Sequence, residues 1–292
     1  MISITKKTIN SKYIALFFAF FIGVVTATTG RSDDTVSLTF GVYQSDKATV
    51  MYRKFTPVIE HIQNYMGKIL DREVDISIKI FRSYEEANDA IIRGDVDFVR
   101  FGPASYITAK DRNSNIRLLA IEKRKGKTRF NGAIIVPAHS SVVSIKELKG
   151  RTFAFGDKNS TIGRYLSQGE LVRAGVHGRD LDSFTYLGRH DKVFKAVALS
   201  KFDAGALKET TVSRYNKGKK VRVIHRFETV TKPWLSRGGL NEQTFKAIKA
   251  SLVALKDPQI LKELKVSGFA MVDDTFFAKT KEGIIFSTRF EE

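Results

Sequence analysis

Residues 152–166 read TFAFGDKNSTIGRYL. An apolar run, Thr152 to Phe155, ends at Gly156. Asn159, Ser160 and Thr161 then stand directly before residues at helical spacing, so a strand leads straight into a helix over Thr161 to Ala174. The free N–H groups and positive dipole end of such a helix face an anion, and the Ser160 and Thr161 hydroxyls add donors. An ordinary helix start needs the same residue types, because Ser160 suits an N-cap. The stretch alone supports both readings.

Outward from it, strand and helix alternate. Val36 to Tyr43 reads as a strand, Tyr52 to Lys68 as a helix with Phe55, Val58, Ile59, Ile62 and Met66 on one face, and Val74 to Phe81 as a strand. Ser83 with Glu86 three residues on is a capping-box signature. A short strand at Asp97 to Phe101, a helix opened by Pro103, and strands at Ile116 to Ile121 and Gly132 to Val136 follow. Beyond the opening stretch, strands at Phe184 to Leu187 and Ala204 to Leu207 flank a helix from His190 to Leu199. Val221 to Phe227 is extended, and helices over Gln243 to Leu255 and Pro258 to Leu264 close the pattern.

Two βα runs, 36–130 and 133–225, imply two α/β lobes with parallel sheets covered on both faces. The helical tail is expected to return to the first lobe, giving residues 35–131 plus 235–292 as lobe 1 and 132–234 as lobe 2. Ligands of open α/β sheets bind outside the carboxyl ends of the strands, here the cleft between lobes.

The chain has 292 residues, 42% hydrophobic and 27% charged, and no cysteine. That composition is globular and excludes disulfides, thiolate metal sites and a catalytic thiol. Residues 1–27 read as a signal peptide: Lys6, Lys7 and Lys12 without an acid, the apolar run Tyr13 to Val25, then small residues. Its removal lowers the formal charge from +18 to +15, so the exported part remains basic. The clusters KRKGK (123–127) and KGKK (217–220) lack interleaved aromatics and read as solvated loops, not as a nucleic-acid groove. The five histidines have no metal-ligand spacing, and GxSxG and P-loop motifs are absent. No enzyme, metal or cofactor is indicated.

Polar residues collect at strand ends instead: Tyr84 in FRSY, Gly102 in FGPASY, and His190 in GRHDKV. Taken singly, each has an ordinary structural explanation. Together, FGPASY, FGDKNSTIGRYL, GRHDKVFKAV and FDAGAL, in this order and spacing, resemble the exported solute-binding proteins of phosphate, phosphite and phosphonate ABC transporters over about Leu38 to Leu264.

The resemblance implies the type II two-lobed periplasmic-binding-protein fold, with the ligand cleft between lobes. It further implies a periplasmic protein, without catalysis or cofactor, that captures a small oxyanion for a membrane permease. The same fold could serve as a sensor docking on a membrane signalling partner such as a histidine kinase. A monomer that binds no nucleic acid is expected. In the family a Ser-Thr-Ser run holds the phosphonate oxygens; Ser160 and Thr161 match its first two members, and Ile162 replaces the third. The family's His and helix-opening Tyr match His190 and Tyr84, while Phe130 stands where a second Tyr is usual. Tyr43 closes from the same lobe as Tyr84, and Asn159 precedes the hydroxyl pair. Members that take amino-phosphonates use two acids for the ammonium; here those positions hold Glu209 and Lys232. Lys232 inverts the local charge, so aminoethylphosphonate is disfavoured and a purely anionic ligand fits better. Trp234 reads either as an apolar wall or as a buried hinge residue.

Overall fold

The computed structural model describes residues 35–45 and 47–292, so the expected signal peptide lies outside the described residues. Strand β1 (Val36–Tyr43) leads to α1 (Ala48–Leu70), whose apolar face of Met51, Phe55, Val58, Ile59, Ile62 and Met66 is fully buried. Then follow β2 (Val74–Phe81), α2 (Tyr84–Arg93), β3 (Phe98–Arg100), α3 (Pro103–Arg112), β4 (Arg117–Lys123) and β5 (Arg129–Pro137). Ser83 caps α2 as its sequence predicts, accepting from the Glu86 N–H at 3.1 Å, while the Glu86 carboxylate accepts from the Arg82 N–H.

The middle of the chain gives β6 (Thr152–Phe155), a turn of π-helix at Thr161–Tyr165, and α4 (Leu166–Arg173). Strand β7 (Ser183–Tyr186), α5 (His190–Ala198), β8 (Ala204–Lys208), α6 (Glu209–Tyr215) and β9 (Val221–Val230) come next. The last part holds β10 (Pro233–Ser236), α7 (Glu242–Ala254), α8 (Pro258–Leu264), β11 (Gly268–Ala270) and α9 (Ala278–Thr288).

The strands form two sheets, ordered β11-β4-β10-β3-β1-β2 and β7-β6-β8-β5-β9. Each is mixed, where alternation alone predicts parallel sheets. The parallel part is β3-β1-β2 in one and β7-β6-β8 in the other. Antiparallel strands complete both, because the chain crosses between sheets rather than continuing through βα units. The crossings run side by side. One lies between β4 and β5, the other between β9 and β10, and the Thr231 N–H and hydroxyl both donate to the Thr128 carbonyl, at 2.8 and 3.0 Å.

Apolar clusters cover both faces of each sheet. Trp234 is fully buried in the first, stacked on Phe40 at 5.0 Å, so it is a core residue and no wall of the cleft.

The chain's end departs from the expected division. Helices α7 and α8 and strand β11 pack with the first sheet, but α9 lies against α4, and Phe290 is buried among Phe155, Phe184 and other residues of the second core. Burial of an aromatic side chain this size supplies about 1.5–3 kcal/mol, which a stretch of mixed polarity cannot advertise in sequence. Close helix packing there needs Gly169 and Gly283: a Cβ at Gly169 would stand 2.7 Å from the Gly283 carbonyl oxygen.

Candidate functional site

In both sheets one central strand has partners on either side whose connecting helices leave in opposite directions, β1 between β2 and β3, and β6 between β7 and β8. Such a switch point opens a crevice outside the strand's carboxyl end. The two crevices face each other across a cavity of about 40 Å³. Tyr84, Gly102 with Pro103, Ser160 with Thr161, and His190 line it, and each stands at the first turn of a helix. Four helix N-termini therefore converge on one small space, each bringing partial positive charge to it.

The opening stretch builds one wall. Ser160 Oγ accepts from the Gly163 N–H at 3.1 Å, and the Gly163 carbonyl accepts from the Gly156 N–H at 2.8 Å. The π-turn begins there, a local widening common at binding sites. Gly163 follows the hydroxyl residues because nothing larger fits: its Cβ would come within 2.8 Å of Gly156 Cα. Gly163→Ala is expected to cost about 1–3 kcal/mol, the usual penalty of overpacking. A thermal melt beside a ligand titration checks this; an unchanged melting temperature would show that the two glycine backbones separate freely.

Thr161 Oγ1 accepts from the Ala104 N–H of α3 at 2.9 Å, so this hydroxyl ties the second sheet's helix start to the first sheet's. Its hydrogen remains available to the cavity. From the other side Tyr43 and Tyr84 stack at 3.8 Å, and Lys232 Nζ donates to the Tyr43 hydroxyl at 3.0 Å. Burial pushes the Tyr43 phenol up to about 12 and raises Tyr84 as well, the latter further through Tyr43 and Asp157. Both stay protonated donors.

Burial, with Lys208 and Lys232 nearby, lowers His190 to about 3, so its imidazole is neutral; its Nδ1 is buried without a partner. Burial and neighbouring cations bring Lys208 down to about 8 and Lys232 well below the ordinary lysine value. One carboxylate anchors the surrounding positive charge. Glu122, fully buried beneath the site, takes two hydrogen bonds from Arg100, the longer at 3.1 Å, and lies 3.7 Å from Arg124. Burial alone would raise its carboxyl, but Arg100, Arg124 and Lys232 hold it below the usual range.

The cavity thus gathers seven of the residues expected from sequence: Tyr43, Tyr84, Phe130, Ser160, Thr161, His190 and Lys232. Two others are elsewhere. Asn159 sits in the turn, its N–H donating to the Asp157 carboxylate at 2.8 Å, and its side chain does not line the cavity. Glu209 is taken by Asn131 at 3.1 Å and by Arg226, so its carboxylate serves an ion pair on the far side of β5 and β9.

Three residues that sequence reasoning missed belong here. Thr229 lines the cavity with its Oγ1 buried and unpartnered, close to where Ile162 offers no hydroxyl. Lys208 ends β8. Arg124, assigned with KRKGK to a solvated loop, turns inward at the crossing toward Glu122. The signal for Lys208 was its place at a strand's carboxyl end; Thr229 and Arg124 carry none.

A family model described as "ABC transporter, phosphonate, periplasmic substrate-binding protein" matches residues 40–277. The probable ABC transporter phosphite binding protein PhnD1 of Prochlorococcus marinus (strain MIT 9301) is 27% identical over 202 residues, spanning 64% of this chain and 67% of that one. Among solved structures, XAC2383 of Xanthomonas citri bound to chloride superposes with a TM-score of 0.76 at 21% identity, covering 87% of this chain and 98% of the other. PhnD1 of Prochlorococcus marinus (MIT 9301) in complex with methylphosphonate gives a TM-score of 0.69 at 24% identity, covering 85% and 96%. At these identities the structural likeness shows the fold.

Proposed function

Because the chain belongs to the periplasmic substrate-binding proteins of phosphonate ABC transporters, we propose that the cavity between its sheets captures a phosphorus oxyanion, of the size of phosphite or methylphosphonate, for delivery to a permease. One observation carries the ligand class. Among the described residues the inner cavity is lined by hydroxyls, amides, an imidazole and two lysines, and by no carboxylate. Donors that can turn toward a ligand, with basic side chains and no competing carboxylate, are complementary to an anion.

Size supports the same reading. A cavity needs about 10–15 Å³ to hold one water, so 40 Å³ suits a small tetrahedral group with little beyond it. Ser160, Thr161, Thr229 and His190 would donate from the second sheet and its crossing strand, and Tyr43 and Tyr84 from the first. An anion bridging both favours the closed arrangement, which is how capture is signalled to a permease. The two sheets then act as lobes 1 and 2, moving about the paired crossings. Lys232 replaces an acid that an ammonium ligand would require, so aminoethylphosphonate is excluded from the preferred set.

A thermal-shift screen against phosphite, phosphate, methylphosphonate, aminoethylphosphonate and sulfate tests the assignment. A ligand at 100 times its Kd adds about 2.7 kcal/mol of stability. A shift with phosphite or methylphosphonate supports the reading; a shift with sulfate alone overturns the ligand class.

The lysines set a pH dependence. Lys208 is protonated below about 8, and a bound anion raises that value, so binding takes up a proton above it. Affinity, corrected for the ligand's own ionisation, is expected to be full below pH 8 and to fall as pH rises further. His190 is already neutral above about 3, so its imidazole adds no inflection between pH 5 and 7. The ligand-free protein responds in the opposite sense: the unfolded chain keeps the Lys208 proton to about 10.4, so this group's contribution to stability increases with pH over that window. Calorimetric titration from pH 5 to 10 measures both; a step in affinity near 6.5 would contradict the neutral imidazole.

A further inference from the structure

Beyond the inner cavity lies a larger chamber of about 520 Å³, sharing Tyr84, Ser160, His190, Lys208 and Lys232 with it. From this chamber we infer the substrate class: a ligand with two anionic groups, a tetrahedral phosphorus oxyanion held inside and a second anion, carboxylate or phosphoryl, held in the chamber outside. The inference rests on the oxyanion-capture reading above and extends it.

The chamber is lined by six cationic side chains, Arg124, Arg189, Lys208, Arg214, Lys232 and Lys265, and by two carboxylates, Asp157 and Asp191. Both acids are already engaged. Arg189 grips Asp191 with two hydrogen bonds at 2.9 and 2.6 Å, and Asp157 accepts the Asn159 N–H. Arg124 shares Glu122 with Arg100, which holds both oxygens of that carboxylate. Among the described residues no carboxylate lies within ion-pair distance of Lys208, Arg214 or Lys265. Among the described residues the chamber's basic side chains therefore outnumber its acids, and mutual repulsion among Lys208, Arg124 and Arg100 helps bring Lys208 down to about 8, behind the larger effect of burial.

The cations come from both sheets. Lys265 ends α8 beside the first, in left-handed backbone at φ 61°, while Lys208 and Arg214 stand on β8 and α6 of the second. A second anion between them would span the cleft mouth, as the first spans its floor. An ammonium there would meet repulsion from both sides. A single small oxyanion fills the inner space and leaves this charge unanswered, whereas a phosphonate carrying a carboxylate or another phosphoryl group answers it.

Isothermal titration of the exported chain tests this with methylphosphonate, phosphonoacetate, 3-phosphonopropionate, methylenediphosphonate and aminoethylphosphonate. At least one two-anion ligand is expected to bind about tenfold tighter than methylphosphonate or better, the margin of one good charge contact. Arg214→Ala with Lys265→Ala, both exposed and outside the inner cavity, should erase that margin and leave methylphosphonate unchanged. High salt should shrink it too, since the chamber is open to solvent. The carboxylate and diphosphonate arms tell which second group is meant. Equal affinity for methylphosphonate and every two-anion ligand would overturn the inference, as would tightest binding of aminoethylphosphonate, or equal loss of both ligand types in the double variant. If methylphosphonate itself fails to bind, the oxyanion reading fails with it.

Discussion

Replacing Ser160 with Ala and Thr161 with Val is expected to weaken methylphosphonate binding by about 10²–10⁴-fold. Each hydroxyl gives a charged oxygen one hydrogen bond in a water-poor site, worth about 1.5–3 kcal/mol. Two such losses, at about 1.4 kcal/mol per decade, give the stated range. The pair has a structural role as well, and the two effects separate. Ser160 accepts from Gly163 and Thr161 from Ala104, so the ligand-free protein should lose about 1 kcal/mol per neutral bond. Calorimetric titration gives the first quantity and ligand-free melting the second. A loss of less than tenfold in affinity, with melting lowered as expected, would mean that these hydroxyls are helix caps and nothing more. In that case Thr229 and the two tyrosines would hold the anion.

The largest effect on stability is expected from Glu122→Gln. Among the described residues Glu122 is the buried carboxylate that faces Arg100, Arg124, Lys208 and Lys232, and it is fully inaccessible. Breaking a buried pair by removing one partner costs about 3–5 kcal/mol, because the remaining charge stays buried and unpaired. At about 2–4 °C per kcal/mol for a chain somewhat smaller than this one, the melting temperature should fall by roughly 10 °C. Two controls define the cause. Arg100→Met in the same chain should recover most of the loss, since an apolar pair of similar volume is often neutral. Added inorganic phosphate should stabilise Glu122→Gln more than it stabilises the wild type, because the cations then lack the buried counter-charge that Glu122 supplies. If Glu122→Gln melts like the wild type, the cluster is better hydrated than its burial implies.

Much of the frame was legible because local chemistry and packing agree in it. Ser83 with Glu86 started α2 where their spacing predicts, and Ser160 to Gly163 started a helical turn where small residues follow a strand. What escaped has a physical cause in each case. Strand β11 has three residues and owes its conformation to pairing with β4. Strand β10 begins at a proline and is held between β3 and β4. Helix α9 buries only Thr280, Gly283 and Ser287 along its length, so no apolar stripe marks it.

The site shows the same division. Tyr84 and His190 open helices, where position gives their place at the cavity away. Arg124 belongs to a basic run in which Lys125 and Lys127 are exposed, and the chain crossing turns Arg124 inward to Glu122. Asn159 stands in a turn held by its own backbone N–H on Asp157, off the cavity, and Glu209 found a nearer partner in Arg226. Sequence names the groups able to bind an anion; neighbours decide which are still free to do so.

The passage of α9 onto α4, anchored by Phe290, has a mechanical consequence. Two adjacent crossings define a hinge line but leave torsion about that line's perpendicular largely unopposed. A third attachment, off the line, acts as a stay: it permits opening and resists twisting. The trajectory of the two halves should therefore be close to one-dimensional, with the two tyrosines returning to the same place opposite Ser160 at every closure. Cutting the stay, by ending the chain before Ala278, should broaden the distribution of interlobe distances seen by spin labels on α1 and α5 rather than merely shift its mean.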